Sequence, residues 1–330
     1  MHKIDRPNIS IVIPIYNRAK YLEATLNSVS SQTLEGWECI LVDDCSADAS
    51  REIACEFCKQ DERFKLIELD ANSGASYARN IGLRNSSGKW IQFFDSDDLL
   101  EPTALEEKMA LAEDGVDAVV CGLRRVDEVT GLVRNSEFWS DDLVLDHLLE
   151  NINFLVSGPI WRRDFLISHQ LEFDCQLSSA DDWDFNLRAL YFSPKVALCN
   201  RHLITYVRHA GSITESSRRS REAYRRFMNS ELNARKKHLR YVEESDFAEL
   251  REVRTYFLSR FSHLLSIALS KRISIRFKLF WDCVRLAIKI GALSYLIRVM
   301  MGTASFLITR KGYRLLYIPD AKSKLRGTAP

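Results

Sequence analysis

The sequence predicts an α/β fold with a mostly parallel central sheet flanked by helices, followed by a basic helical region. Short apolar runs typical of strands alternate with amphipathic segments through the first half of the 330 residues. The net charge differs in sign between the two parts of the chain. Residues 201–330 hold 27 Lys and Arg against 10 Asp and Glu, a net charge of +17, and the rest of the chain carries −16. We therefore expect two regions with different partners, residues 1–215 and residues 216–330.

The predicted elements of the first region follow one another in a regular order. Five apolar runs are assigned as strands: residues 9–15, 39–42, 64–69, 90–94 and 118–121. The intervening segments with helical spacing are residues 21–31, 47–58, 75–85 and 102–112, and a later helix is expected over residues 181–190. In sheets built from such units, ligands bind beyond the carboxyl ends of the strands. The polar clusters of this sequence fall at those ends.

The second region is expected to be helical from about residue 218 onward. Three of its segments are apolar but interrupted by basic residues: 262–269, 275–290 and 293–308. None has the roughly 20 uninterrupted apolar residues that a spanning helix needs. Two interpretations stay open, namely an interfacial helix on an anionic membrane and packing against the first region. Nucleic acid is not an expected partner, because no recognition motif accompanies the charge.

The densest acidic stretch follows the strand predicted at residues 90–94. Asp95, Asp97 and Asp98 stand there within four positions. Carboxylates that are this close repel one another unless a cation lies between them, and hard oxygen ligands favour Mg²⁺ or Mn²⁺. The alternative is an acidic turn, with Asp98 near the N-cap of a helix that Pro102 opens.

Six motifs in order are similar to those of glycosyltransferase family 2. They lie at residues 11–17, 28–33, 41–46, 72–80, 88–98 and 181–185. The likeness covers roughly residues 8–215, and it implies a GT-A-type nucleotide-sugar-binding domain. The resemblance assigns contacts with the nucleotide sugar to nine residues: Pro14, Tyr16, Asn17, Asp44, Asn72, Gly74, Arg79, Asp95 and Ser96.

The predicted nucleotide contacts have a physical basis and a structural alternative each. The ring of Tyr16 can stack on a nucleobase, or it is a core tyrosine. Asp44 can accept hydrogen bonds from the N–H edge of the base, or it is a turn aspartate. The family often has Gly where this chain has Cys45, which leaves the geometry of that turn open.

The segment 72–74 precedes a predicted helix. Its free backbone N–H groups and the positive end of the helix dipole can face a phosphate. Arg79, on the same helix, can add a charge-assisted bond to the diphosphate, or it forms a structural ion pair.

The resemblance also implies a metal site and a base. Asp97, Asp95 and His209 are the expected ligands of Mn²⁺ or Mg²⁺, and an unliganded histidine remains the alternative for His209. Asp182 is the expected general base, where the family usually shows Glu-Asp and this chain has Asp181-Asp182. An N-cap is the other role open to Asp182. Trp183 and Asp181 are expected to contact the acceptor, although burial of Trp183 in the core is an open alternative.

The function that follows from this resemblance is metal-dependent, inverting transfer of a sugar from a nucleotide sugar, with a UDP-linked donor expected. The acceptor is expected to be a glycan or a lipid-linked saccharide in surface polysaccharide biosynthesis. Residues 1–8 show no secretory signal, so we expect a cytoplasmic protein, with contact to the cytoplasmic face of the membrane left open. A sugar nucleotidyltransferase is disfavoured, since no Gly-rich basic triphosphate loop follows the first strand. A catalytically silent binding module would not need these acids.

Overall fold

The computed structural model describes residues 7–136, 140–152, 154–209, 212, 220–244, 251–271, 273, 275–289, 291–309 and 316. The chain divides into two compact units, Met1–Ser212 and Ile213–Pro330. The first unit contains the sheet, and the helices described in the second unit pack on one another.

The first unit is an α/β structure, as the sequence predicts. Its described strands are β1 (Ile9–Ile15), β2 (Trp37–Asp43), β3 (Phe64–Glu68), β4 (Trp90–Phe93), β5 (Leu99–Leu100), β6 (Ala118–Asp127), β7 (Val133–Ser136), β8 (Pro159–Arg162) and β9 (Val196–Arg208). Its described helices are α1 (Ala19–Ser30), α2 (Ser50–Gln60), α3 (Ala75–Asn85), α4 (Ala104–Ala110), α5 (Leu143–Leu148), α6 (Arg163–Ser168) and α7 (Asp181–Leu190).

The strands form one sheet in the order β3-β2-β1-β4-β8-β6-β9-β5, with β7 paired to β6. The first four of these strands are parallel, as predicted. The other half is mixed, because β8 runs antiparallel to both β4 and β6, and β5 runs antiparallel to β9. Only β6 and β9 pair in parallel there. The mostly parallel arrangement therefore holds for the part of the sheet built from the regular strand–helix alternation.

Strand β1 is the centre of the parallel half and is buried along all seven residues. Its odd-numbered isoleucines contribute to one core cluster, and Val12 contributes to the cluster on the other side, with Leu83 and Phe93. Burial on both faces explains the continuous apolar run that predicted the strand. Helix α3 lies very close to β1, since a Cβ added at Gly82 would overlap Val12 Cγ1.

The second unit consists, in its described part, of helices α8 (Arg221–Glu243), α9 (Arg251–Ser270), α10 (Arg276–Lys289) and α11 (Leu293–Thr309). The hydroxyl of Ser220 caps α8 by accepting a hydrogen bond from Ala223 N at 3.0 Å. Helix α9 packs against α8, α10 and α11, and α10 packs against α11. None of the described helices combines the length and hydropathy needed to cross a bilayer.

Candidate active site

The acidic turn Asp95–Asp98 follows β4 at the edge where the parallel strands β1, β2 and β4 end. Asp98 anchors this turn. Its buried carboxylate accepts hydrogen bonds from Ser157 Oγ at 2.9 Å and from Val207 N at 3.3 Å. The alternative that placed Asp98 near a helix N-cap is therefore wrong. Helix α4 begins at Ala104, and the side chain of Asp98 instead holds two distant segments together.

Ser157 is itself positioned by a buried polar network. Lys108, which is fully buried, donates to Gln92 Oε1 at 2.6 Å and to the carbonyl of Gly158 at 3.0 Å. Gln92 Nε2 donates in turn to the carbonyl of Ser157 at 2.7 Å. Burial lowers the pKa of Lys108. The network joins α4, β4 and the loop before β8, and so fixes the serine that holds the acidic turn.

Asp97 and His209 meet although the sequence separates them widely. Nε2 of His209 lies 2.9 Å from Asp97 Oδ2. Arg18, the N-cap residue of α1, and Tyr21, in the first turn of α1, complete this group. Arg18 Nε donates to the same oxygen at 3.1 Å, and the ring centroids of Tyr21 and His209 lie 4.0 Å apart. The sequence signals that predicted Asp97 and His209 carried no information about Arg18 or Tyr21.

Arg79 links the acidic turn to helix α7. Its guanidinium, nearly buried, donates to Asp95 at 2.7 Å and to Asp181 at 2.8 Å. Ser76 Oγ adds a hydrogen bond to Asp181 at 3.3 Å. The structure thus shows the ion-pair alternative for Arg79. Burial raises the pKa of Asp95, and the charge of Asp97 adds to this effect, while Arg79 acts against it.

Asp182 lies beside Asp181 in the first turn of α7 and is partly buried. Burial and the neighbouring charge of Asp181 raise the pKa of Asp182 to about 7. Its carboxylate accepts a hydrogen bond from Trp183 N at 2.7 Å. The cap position belongs to Ala180, whose φ of 58° places it in the left-handed region. A carboxylate with this pKa can both accept and release a proton near neutral pH.

Trp183 does not offer the exposed ring face that was expected for an acceptor sugar. The side chain is buried, and its Nε1 donates to the carbonyl of His147 at 2.9 Å. The ring is part of the contact between α7 and α5, because Trp183 lies on the buried face of the helix. The alternative of burial in the core is therefore the one that the structure shows.

The loop 72–74 is hydrogen-bonded to Asp44. The buried carboxylate of Asp44 accepts hydrogen bonds from Ser73 N at 2.7 Å, from Gly74 N at 2.8 Å and from Asn72 Nδ2 at 3.0 Å. The backbone N–H groups that were expected to face a phosphate are therefore already occupied. Asp43 shows the opposite situation: it is buried, and its Oδ1 has no hydrogen-bond partner among the described residues.

The remaining predicted nucleotide contacts are divided between surface and interior. Tyr16 is 44% exposed. Asn17 has a backbone conformation in the left-handed region. Its Oδ1 accepts a hydrogen bond from Ala47 N at 2.8 Å and so joins the loops that follow β1 and β2. Pro14 lies buried within β1, and Ser96 is also buried. Cys45 has a φ of 62°, a conformation that glycine adopts more easily, which accounts for the glycine common at this position in the resembling sequences.

The predicted metal ligands do not converge as a set of three. Asp95 is held by Arg79, and no cluster of three or more His, Cys, Asp and Glu side chains suited to a metal ion occurs in the described part of the chain. Asp97 and His209 nevertheless fit a divalent cation. One carboxylate and one imidazole are a common donor pair, and Mg²⁺ or Mn²⁺ completes its shell with water and substrate phosphates. Burial and the charges of Asp95 and Asp97 also hold the pKa of Asp98 far above its usual range, so a cation would relieve repulsion there.

Comparison with known proteins agrees with this architecture. Residues 10–168 match the model of glycosyl transferase family 2. EpsH of Bacillus subtilis, named as a glycosyltransferase, is 33% identical over 221 residues, which are 64% of this chain and 64% of EpsH. TuaG of the same organism, named for teichuronic acid biosynthesis, is 41% identical over 104 residues, 32% of this chain and 41% of TuaG. The chain thus spans less than two thirds of either relative.

Among solved structures, TarS residues 1–349 of S. aureus in complex with UDP-GlcNAc superimposes with a TM-score of 0.65 and 20% identity. The match covers 97% of this chain and 92% of the TarS chain. This likeness shows a shared fold, which is the GT-A fold. GlyG of Streptococcus pneumoniae, named as a glycosyltransferase, is 30% identical over 217 residues, which are 62% of this chain and 72% of GlyG. Together with the match of residues 10–168 to the family model, this relative shows that the chain belongs to glycosyltransferase family 2.

Proposed function

We propose that the protein is a metal-dependent, inverting glycosyltransferase that moves a sugar from a nucleoside-diphosphate sugar to an acceptor hydroxyl. The observation that carries this proposal is the bridge formed by Arg79. Its guanidinium holds Asp95 of the acidic turn and Asp181, the neighbour of Asp182, so a donor side and a base side share one edge of the sheet.

The nucleotide is proposed to lie against the ends of β1 and β2. The exposed ring of Tyr16 is free to stack on a base. Oδ1 of Asp43 is buried and has no hydrogen-bond partner within the described part of the chain, whereas Asp44 already accepts three hydrogen bonds. We therefore assign recognition of the base N–H edge to Asp43, with Asp44 holding the loop beside it. The complex of TarS with UDP-GlcNAc makes UDP-GlcNAc the first donor to test.

Asp97 and His209 are the residues proposed to hold Mn²⁺ or Mg²⁺. When bound, the ion supplies Lewis-acid stabilisation of the charge that develops on the departing diphosphate. Arg18 adds a positive charge beside Asp97, with its side chain 19% exposed. Because Arg79 is occupied by two carboxylates, Arg18 is the better candidate for contact with the diphosphate.

Asp182 is proposed as the general base. It takes the proton of the acceptor hydroxyl while that oxygen forms a bond to the anomeric carbon. The bond from the anomeric carbon to the diphosphate oxygen breaks on the opposite face, so the configuration inverts. A base with a pKa of about 7 suits this step near neutral pH, because roughly half of it is deprotonated there and that form is basic enough to accept a proton.

The acceptor class is proposed to be a growing glycan or a lipid-linked saccharide of a surface polysaccharide. TuaG, with its name referring to teichuronic acid biosynthesis, supports the polysaccharide context. A membrane-linked acceptor would place the enzyme at the cytoplasmic face of the membrane, and the second unit has a surface suited to this.

That surface consists of the exposed faces of α10 and α11. On α10, three exposed apolar side chains fall within about 40° of arc: Phe277, Trp281 and Ile288. On α11, six fall within about 120°: Leu293, Ile297, Met300, Met301, Leu307 and Ile308. Exposed basic residues flank these faces: Lys278, Arg285 and Arg298. Aromatic and aliphatic side chains bordered by Lys and Arg fit the boundary of an anionic bilayer.

The proposed activity is tested by incubating the full chain with Mn²⁺, UDP-GlcNAc or another nucleotide sugar, and a membrane extract that supplies lipid-linked saccharides as acceptors. Release of the nucleoside diphosphate by the native chain is expected, together with its loss in Asp97→Ala and Asp182→Asn. Because Asp182→Asn leaves the proposed donor contacts intact, it should still be stabilised thermally by the donor. Binding without any release from the native chain would indicate a silent binding module. Formation of a nucleotide sugar from nucleoside triphosphate and sugar phosphate would indicate a nucleotidyltransferase.

The membrane contact is tested by flotation with vesicles of phosphatidylcholine alone or mixed with phosphatidylglycerol. Flotation is expected only with the anionic vesicles, and Ile297→Ser with Ile308→Ser should abolish it. Val133→Ser, an exposed apolar residue of the first unit, is the matched control. Equal flotation of all variants would contradict the proposed membrane contact. The proposal would also fail if the protein bound no vesicles and analytical ultracentrifugation showed that it self-associates through α11.

A further inference from the structure

Tyr21 lies directly against His209, with ring centroids 4.0 Å apart and the planes tilted by 35°. The tyrosine comes from the first turn of α1, and the histidine is the first residue after β9. Tyr21 is only partly buried, whereas His209 is almost fully buried. The contact therefore places the tyrosine ring as a cover over one face of the imidazole.

The hydroxyl end of Tyr21 is held in place. It donates to Glu128 Oε2 at 3.0 Å and accepts from Lys20 Nζ at 2.9 Å, and Lys20 also contacts Glu128 Oε1 at 2.6 Å. Glu128 follows β6, and its backbone N–H donates to the carbonyl of Arg208 at 2.9 Å. These contacts form a closed loop: Tyr21 bonds to Glu128, Glu128 bonds to Arg208, and His209, the next residue, packs against Tyr21.

The turn of α1 that carries Tyr21 is also tied down on its other side. Arg18 N donates to Ser50 Oγ at 2.7 Å, and Ala19 N donates to Asp48 Oδ2 at 3.1 Å. The guanidinium of Arg18 reaches Asp97 Oδ2 at 3.1 Å, the oxygen that His209 Nε2 approaches to 2.9 Å. One helical turn thus contacts both members of the Asp97–His209 pair.

We infer that Tyr21 is a positioning residue for His209, which holds the imidazole so that Nε2 faces Asp97 and a divalent cation shared by the two side chains. This inference rests on the proposed metal role of Asp97 and His209. The physical reason is that His209 lies just beyond the last paired residue of β9, where the sheet no longer fixes the direction of its side chain. A ring packed over one face of the imidazole, on a helix start tied to Ser50 and Asp48, limits rotation of the imidazole, so less freedom is lost when a metal binds.

The ring of Tyr21 should matter more than its hydroxyl. Tyr21→Ala should bind Mn²⁺ about tenfold more weakly, because it loses a ring contact that supports a metal ligand. Tyr21→Phe keeps the ring and should restore binding to within about twofold. Tyr21→Leu, which keeps bulk without an aromatic face, should resemble Tyr21→Ala. Tyr241→Ala in the second unit is the matched control for loss of a partly exposed tyrosine.

The experiment titrates each full-length variant with Mn²⁺ alone and follows free Mn²⁺ by electron paramagnetic resonance, with thermal unfolding as a check of folding. A second readout is the Mn²⁺ concentration for half-maximal transfer, which should rise in Tyr21→Ala and Tyr21→Leu while the rate at saturating Mn²⁺ is retained. If Tyr21→Ala or Tyr21→Leu folds and binds Mn²⁺ as tightly as the native chain does, the positioning role is overturned and the metal pair stands. If the native chain binds no Mn²⁺, both the metal assignment and this inference fall.

Discussion

Arg79 donates to Asp181 at 2.8 Å across 102 residues of sequence. This ion pair fixes α7 against α3, and the other terminal nitrogen of the same guanidinium fixes the acidic turn. The residue next to Asp181 is Asp182, so the position of the proposed base depends on the same arginine that orders the donor side. Arg79 is thus a structural link between two sets of proposed catalytic residues.

Arg79→Ala should lower the free energy of unfolding by roughly 3–5 kcal/mol, because it leaves two carboxylates without their buried cation. Urea denaturation measures this change. Arg84→Ala, on the same helix, removes an exposed ion pair with Glu172 and should cost less than about 1 kcal/mol. Similar losses for the two variants would mean that Arg79 is not the link described.

The rate of transfer should rise with pH and reach half of its plateau at about pH 7, since burial and the charge of Asp181 raise the pKa of Asp182 to about 7. The base must be deprotonated to act, so activity is lost as pH falls through that value. The measurement is the initial rate at saturating donor and acceptor between pH 5 and 9, which are roughly the limits of the window around this pKa. Any residual activity of Asp182→Asn should lack this rise. A native profile that is flat from pH 5 to 7 would assign the base to another group.

Glu38 should make the fold sensitive to acid. Burial acts to raise its pKa, but the bonds from Lys65, Ser10 and Ser87 outweigh this and lower the pKa from 4.5 to about 2. A depressed pKa in the folded state stabilises the protein above pH 4.5, and the stabilisation is lost as pH falls toward 2.

The expected size of this acid effect is about 3 kcal/mol at most. Urea denaturation at several pH values measures it, and Glu38→Gln should flatten the dependence between about pH 4.5 and 2. Glu68→Gln, at an exposed residue of β3, is the control and should leave the slope unchanged. An unaltered slope in Glu38→Gln would contradict the assignment.

Ser157→Ala should destabilise the first unit by about 1–3 kcal/mol, because the buried Asp98 loses a hydrogen-bond donor. Ser168→Ala is the control, because its hydroxyl bonds to the Phe165 carbonyl and lies beside His169 Nδ1 at the end of its own helix, and it should change stability by less than about 0.5 kcal/mol. Chemical denaturation of both variants checks the difference. Equal stability of the native chain and Ser157→Ala would show that Asp98 is held by other groups.

Local sequence patterns were enough to predict the helices and strands whose formation depends on residues close together in the chain. The bounds of β1 and α3 agree with the predictions, because a continuous apolar run and a helical period are visible within a few residues. The antiparallel insertion of β8 between β4 and β6 was not predictable in this way, since it depends on pairing between strands far apart in sequence.

The same distinction holds for the candidate site. The acids and the histidine could be named from motifs, but a motif does not show which donors reach a carboxylate. Asp44 accepts from the loop at residue 73, and Asp97 accepts from Arg18, 79 residues away. Trp183 looked equally suited to a sugar and to the core, and only the position of His147 against its N–H decides between them.

The bond from Val207 N to Asp98, formed across 109 residues, also sets an order of events during synthesis. The acidic turn leaves the ribosome long before β9, so Asp98 lacks this donor until residue 207 has emerged. One edge of strand β6 is unpaired for the same period, because β9 pairs with the whole length of β6. Such non-local pairing slows folding and leaves the partly made chain open to aggregation, so nascent chains that stop before β9 are the expected clients of chaperones.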